Sequence, residues 1–285
     1  MITLQAPAKL NLTLEVLAAR DDGYHEIRSV FQTVSLCDRL SFEIGESLVF
    51  QCALPGWQAE KSLVFRAAHL LKQQAAYPGG ALIQVSKQIP LASGLGGDSS
   101  DAAVVLRGLN QLWNLKMAPG ELVKLAARLG SDISFFLSGG TALVQGRGEF
   151  ISPLPSLPHS WFVLLVPPVR RPESKTGTLY SYLKPEYFTS GIKTDEMVSL
   201  LTRGGPVTSG RLFNVFEKVV YSAFEGLEHY QDMFRQAAKE EVHLAGSGPA
   251  LYAMLDDRIQ AGRVYDSLKL QGLEVYLAES LKSID

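Results

Sequence analysis

The sequence predicts an α+β protein of two domains, on three observations. Strand-like alternation and helical periodicity interleave along the 285 residues without an internal repeat. A breaker-rich connection, Pro153, Pro155 and Pro158 with Ser156, interrupts them and predicts a boundary between residues 1–155 and 156–285. Apolar residues make up 46% of the chain, enough for a substantial core.

Residues 8–16 alternate cleanly, Leu10, Leu12, Leu14 and Val16 on one face and Lys9, Asn11, Thr13 and Glu15 on the other. This predicts a half-buried strand. Further strand-like runs lie at 28–36, 40–44, 81–87, 141–146 and 161–166, and helical periodicity is clearest at 62–75, 99–113, 120–129 and 212–225. Residues 167–177 and 203–210 are rich in Pro, Gly, Ser and Thr and read as loops.

A net charge of −2, a pI near 6.2 and the lack of any Lys/Arg run argue against nucleic acid and for a small-molecule partner. Cys37 and Cys52 form no C-x-x-C, and the five histidines make no H-E-x-x-H or H-x-H, so neither a disulfide framework nor a zinc site is expected. No stretch reaches roughly 18 apolar residues, and the start lacks a basic segment followed by an apolar one; a soluble, cytoplasmic protein with no membrane partner is expected.

The chemistry begins at Ala92-Ser93-Gly94-Leu95-Gly96-Gly97-Asp98-Ser99-Ser100-Asp101, which runs into the helical pattern starting Ala102-Ala103-Val104. Backbone N–H groups in such a turn approach an anion closely, and the following helix start adds unpaired N–H groups and a positive dipole end. Glycines also make ordinary turns, and serines cap ordinary helices. Neither G-x-x-x-x-G-K-[ST] nor a strand–helix G-x-G-x-x-G is present, so a phosphate site here is neither a P-loop nor a Rossmann turn. A second cluster, Gly246-Ser247-Gly248-Pro249, stands between Val242, Leu244 and the run from Ala250 to Met254, and by itself reads as a tight hairpin turn.

Together these motifs resemble the GHMP kinase superfamily. The resemblance spans the chain: a strand bearing a lysine, Pro7-Ala8-Lys9-Leu10-Asn11-Leu12; a central loop over residues 90–100 of the form P-x-x-x-G-L-G-G-x-S-S; and a C-terminal glycine-rich loop at residues 245–249. Asp22-Gly23-Tyr24-His25-Glu26, Phe31-Gln32 and Gly130-Ser131-Asp132-Ile133-Ser134-Phe135-Phe136 are similar to the branch acting on a cytidine diphosphate-linked methylerythritol in non-mevalonate isoprenoid (terpenoid) biosynthesis.

The resemblance implies a two-domain GHMP kinase fold, an N-terminal domain like ribosomal protein S5 domain 2 followed by a C-terminal α+β domain. It implies an ATP-dependent phosphotransferase acting on an alcohol, using ATP with Mg2+, with the substrate between the domains. ATP falls to Pro90, Leu91, Ala92, Ser93, Gly94, Leu95, Gly96, Gly97, Asp98, Ser99 and Ser100, with Gly246, Ser247 and Gly248 as the second glycine loop. Lys9 and Asp132 are the candidate catalytic residues, the lysine for phosphate charge and the aspartate for the hydroxyl proton. The plainer readings are a surface lysine and a helix-starting acid.

Asn11 shares the Lys9 face and is expected to reach the substrate; Tyr24 is expected to stack on cytosine, with His25 at its edge. Tyr180 is expected on the opposite face with Thr176 nearby, although it also reads as a helix aromatic beside Leu183. Asp98 stands where the family most often has glycine, and is expected either to face solvent or to reach Mg2+. The metal ligands are otherwise unassigned, and a monomer and a homodimer remain open. A homoserine or mevalonate type of kinase and a non-catalytic nucleotide-binding relative are the competing readings.

Overall fold

A computed structural model of the chain describes residues 1–55 and 57–284. Two long strands dominate the N-terminal half: β1 (Ile2–Ala19) and β2 (His25–Gly45) pair antiparallel along nearly their whole length. Runs 28–36 and 40–44 are thus one strand, whose first part pairs with β5 (Thr141–Gly146) and whose second part pairs with β4 (Gly80–Ser86). Parallel to β4 runs β3 (Leu48–Cys52), and β6 (Phe150–Pro153) extends the sheet beyond β5.

Three helices cover one face of this sheet: α1 (Leu63–Gln74), α2 (Gly97–Leu112) and α3 (Pro119–Leu129). Val64, Ala68, Leu71, Val105 and Leu109 close over Leu40, Phe42, Ile83 and Val85. Ser62 caps α1 by accepting from the Phe65 N–H, and Pro119 opens α3.

The second sheet runs in the order β11 (Glu274–Glu279), β7 (Trp161–Val166), β10 (Leu251–Leu255), β9 (His243–Leu244), all antiparallel. The helices of this half are α4 (Lys175–Tyr182), α5 (Ile192–Thr202), α6 (Val220–Ala223), α7 (Leu227–Ala238) and α8 (Arg258–Leu270). Phe162, Leu164, Tyr252 and Met254 of this sheet pack on Ala8, Leu10 and Leu12 of β1. The predicted half-buried strand is therefore closed on both faces: Lys9, Asn11, Thr13 and Glu15 are buried like the leucines. Their polar atoms have partners; the Thr13 hydroxyl bonds Thr194 and the Val30 N–H, and Glu15 accepts from the Thr194 N–H.

Between β7 and β9 the chain crosses back to the first sheet. Residues 212–225, predicted as one helix, instead hold β8 (Phe213–Asn214), a 3-10 turn at Val215–Lys218 and the short α6. Strand β8 pairs parallel with Thr13 and Leu14 of β1. Asn214 breaks the helix by satisfying the Phe216 N–H through its side chain. The loop expected over 167–177 ends at Lys175, where α4 begins.

Candidate active site

The phosphate-type loop joins β4 to α2. Gly96 enters the helix at φ +77°, and α2, unlike α1, has no side-chain cap. First-turn N–H groups have no acceptor inside their own helix, so the start of α2 is open to an anion. Burial turns Leu95 and Ser100 inward, whereas Pro90, Leu91, Ala92, Ser93, Gly94, Gly96, Gly97, Asp98 and Ser99 line a cleft of 870 Å³.

The second glycine loop is the turn joining β9 to β10, and it also faces the first loop. Gly94, at φ +94°, comes so near that a Cβ there would lie 2.1 Å from the Ala245 carbonyl. The Ala250 N–H donates to the Ser93 carbonyl. Gly246 and Ser247 line the cleft, while Gly248 turns toward Leu244 and Phe224. Behind the turn, Asn214 donates to the carbonyls of Leu244 and Gly246.

Lys9 points into the cleft from β1. Its ammonium donates to Asn11 Oδ1 at 2.7 Å, lies 3.6 Å from Asp132 Oδ2 and sits 4.5 Å from the Phe31 ring centre. Burial lowers the Lys9 pKa, opposed by the Asp132 charge. Asp132 comes from the 3-10 turn Ser131–Ile133 that follows α3. Asn11 spends its other end on Ser29 Oγ and thereby aims the lysine.

At the far end of the cleft, His25 stacks on Tyr180 with centroids 4.6 Å apart and planes 22° from parallel. Tyr24, expected to stack on a base, is 57% exposed, and the Arg147 guanidinium lies 4.9 Å from its ring centre. The ring that faces Tyr180 directly is His25. Burial holds the imidazole below its ordinary pKa, so at neutral pH it both donates and accepts. Burial and the Asp132 charge push the Tyr180 hydroxyl up to about 12. The Thr176 hydroxyl is 2.9 Å from that of Ser247.

Residues that sequence reasoning missed complete the cleft. Lys87, at the end of β4, bonds Asp38 at 2.6 Å and Asp101 at 2.7 Å, and stands 3.7 Å from Asp98. The Asp98 carboxylate is 57% exposed and so turns largely to solvent. Arg147 and Lys175 are also lining residues. The available signals were slight: Lys87 lies three residues before Pro90, and Lys175 adjoins Thr176.

Among the described residues, no group of three or more His, Cys, Asp or Glu side chains is gathered for a metal. Ser99 lines the cleft at the uncapped start of α2 and suits a cation carried in with phosphate, whereas the Ser100 hydroxyl is buried without a partner outside the cleft lining. No helix among the described residues is long and apolar enough to cross a membrane.

Residues 62–140, from the Ser62 cap to just before β5, match the GHMP kinases N terminal domain family. The chain is 45% identical over 285 residues to the 4-diphosphocytidyl-2-C-methyl-D-erythritol kinase of Dehalococcoides mccartyi, covering 100% of both. It is 37% identical over 274 residues to that of Geobacillus kaustophilus, covering 94% of this chain and 93% of the relative. A crystal structure of 4-(cytidine 5'-diphospho)-2C-methyl-D-erythritol kinase superposes with a TM-score of 0.83 at 33% identity, covering 98% and 99% of the two chains. Homoserine kinase from Cytophaga hutchinsonii shares the fold, at a TM-score of 0.74 and 15% identity over 99% of this chain and 96% of its own. With that identity along its whole length, and the lysine strand, glycine loops and Asp132 turn meeting at one cleft, the chain belongs to the 4-diphosphocytidyl-2-C-methyl-D-erythritol kinase family of GHMP kinases.

Proposed function

We propose that the protein transfers the γ-phosphoryl group of ATP to the 2-hydroxyl of the erythritol part of 4-diphosphocytidyl-2-C-methyl-D-erythritol, a step of non-mevalonate isoprenoid precursor synthesis. The observation that carries this reading is the Lys9–Asp132 pair, 3.6 Å apart, in the same cleft as the uncapped start of α2 and the His25–Tyr180 stack.

The proposed chemistry uses few groups. The hydroxyl oxygen attacks the γ-phosphorus while the bond to the β-phosphate oxygen breaks and ADP leaves; Asp132 accepts or orients the hydroxyl proton, worth roughly 10²–10⁴ in rate. Lys9 offsets charge on the transferring group, and Asn11 holds Lys9 in place. The α2 N–H groups and the Ser99 hydroxyl would hold ATP phosphate and Mg2+, and the metal would supply neutralisation of phosphate charge. His25, Tyr24, Tyr180 and Thr176 recognise the cytidine end, and the unprotonated imidazole suits the donor–acceptor edge of cytosine.

In this reading residues 1–155 supply most of the ATP site and residues 156–285 close the cleft. A monomer or a homodimer in the cytoplasm goes with this reading. An ADP-release assay comparing 4-diphosphocytidyl-2-C-methyl-D-erythritol with homoserine, mevalonate and galactose tests the assignment. Turnover of the cytidylyl compound alone is expected; turnover of another alcohol in its place would overturn it.

A further inference from the structure

The connection between β7 and α4 reaches across the cleft onto the phosphate-type loop. Arg171 donates to the Leu91 carbonyl, and the Lys175 ammonium donates to the Ala92 carbonyl at 3.2 Å and to the Gly248 carbonyl. Lys175 thus touches both glycine-rich loops and lines the cleft between them.

Its surroundings make little sense for a purely structural lysine. Both acceptors are neutral carbonyls, and among the described residues no carboxylate pairs with it. The charges that bear on it are cations: Lys9 from β1, itself beside Asp132, and Arg171 from its own connection. Burial first, and then those two cations, bring Lys175 down to about 7. A buried cation without a counter-charge costs free energy unless an anion arrives to offset it.

We propose that Lys175 is a phosphate-binding residue that engages the transferring phosphoryl group of ATP from the side of the second glycine loop, as Lys9 does from β1. The proposal rests on the ATP-dependent kinase reading. An incoming polyanion favours the charged ammonium, so ligand binding takes up a proton at Lys175. Near pH 8 the free group is mostly neutral and the liganded group is charged, so affinity for the phosphate ligand rises as pH falls from 9 toward 7 and levels off below.

The test is calorimetric titration of the full-length protein with adenylyl imidodiphosphate and Mg2+ at pH 8, in Tris and in HEPES, whose ionisation enthalpies differ. Wild type is expected to take up more protons than Lys175→Arg, which is always charged, or Lys175→Met, which never is. In the ADP-release assay Lys175→Met is expected to lose roughly 10²–10³-fold in kcat, with Lys175→Arg retaining more. A lysine that only ties the loops together would lower Tm without a difference in proton uptake. Equal uptake in all three proteins, or a wild-type kcat in Lys175→Met, would overturn the proposal while leaving the kinase reading intact. A wild type that neither binds the nucleotide nor releases ADP would overturn both.

Discussion

Lys9 and Asp132 form an ion pair better suited to chemistry than to stability. The Asp132 side chain keeps 33% of its exposure, and pairs with one wet partner stabilise a fold by about 0–1 kcal/mol. Asp132→Asn is therefore expected to move Tm by no more than a few degrees while cutting kcat by roughly 10²–10⁴-fold, measured by ADP release. A variant with full activity would remove Asp132 from catalysis. Asp98 poses the opposite case. A carboxylate about 4 Å from a phosphate charge costs about 4 kcal/mol at an effective dielectric near 20, and its turn toward solvent lessens that cost. Asp98→Gly is expected to lower the KM for ATP several-fold with kcat little changed, and to forgo about 0.3–1 kcal/mol of helix-start stabilisation. Collapse of kcat would instead make Asp98 a metal ligand.

The two glycine loops behave as one element. Gly94 adopts a positive φ and leaves no room for a side chain before the Ala245 carbonyl, so Gly94→Ala has to part the loops. The variant is expected to lose about 1–3 kcal/mol of stability and to raise the KM for ATP at least tenfold, checked by thermal melts and steady-state kinetics. Beneath the first loop, Asp38 and Asp101 share the Lys87 ammonium. Burial of Lys87 opposes its charge, but the two carboxylates outweigh that and hold it above the ordinary lysine value. Burial, together with the Asp38 charge, raises the Asp101 pKa above the ordinary carboxylate range, opposed by Lys87. The folded state then binds more protons than the unfolded state above the ordinary carboxylate pKa, so this group's contribution to stability falls as pH rises. Asp101→Asn is expected to flatten the fall in Tm between pH 6 and 9, and an unchanged slope would exclude Asp101 as its source.

At the scale of the molecule, the C-terminal strand order ties the two halves together. Beyond β11 the chain returns to the first sheet: the Leu281 N–H donates to Thr33, Gln32 donates to the Leu281 carbonyl, and Ile284 is buried in the core of the N-terminal half. Deleting residues 280–285 is expected to cost about 2 kcal/mol or more, seen as a Tm lower by roughly 5 °C. An unchanged melt would show that the tail is not part of the cooperative unit.

Much of this architecture is legible in local pattern. The alternation around Lys9 marks β1, the helical period after Ser99 marks α2, and runs 141–146 and 161–166 coincide with β5 and β7. Such signals survive because periodicity and turn chemistry are properties of neighbouring residues. The helix expected over 212–225 fails because Asn214 is held by carbonyls 30 and 32 residues away, which no local window contains.

By itself the sequence determined the order of the motifs, the anion-receptive start of α2 and the pairing of Lys9 with Asp132 as candidates, all through local residue types and a family resemblance. Only the tertiary structure decided that β1 is closed on both faces, that His25 faces Tyr180, and that Lys87, Arg147 and Lys175 join the same cleft. The physical reason is the strand order: one central strand receives partners from both halves of the chain, and side chains as far apart in sequence as Lys9 and Ser247 are brought together by packing and not by spacing.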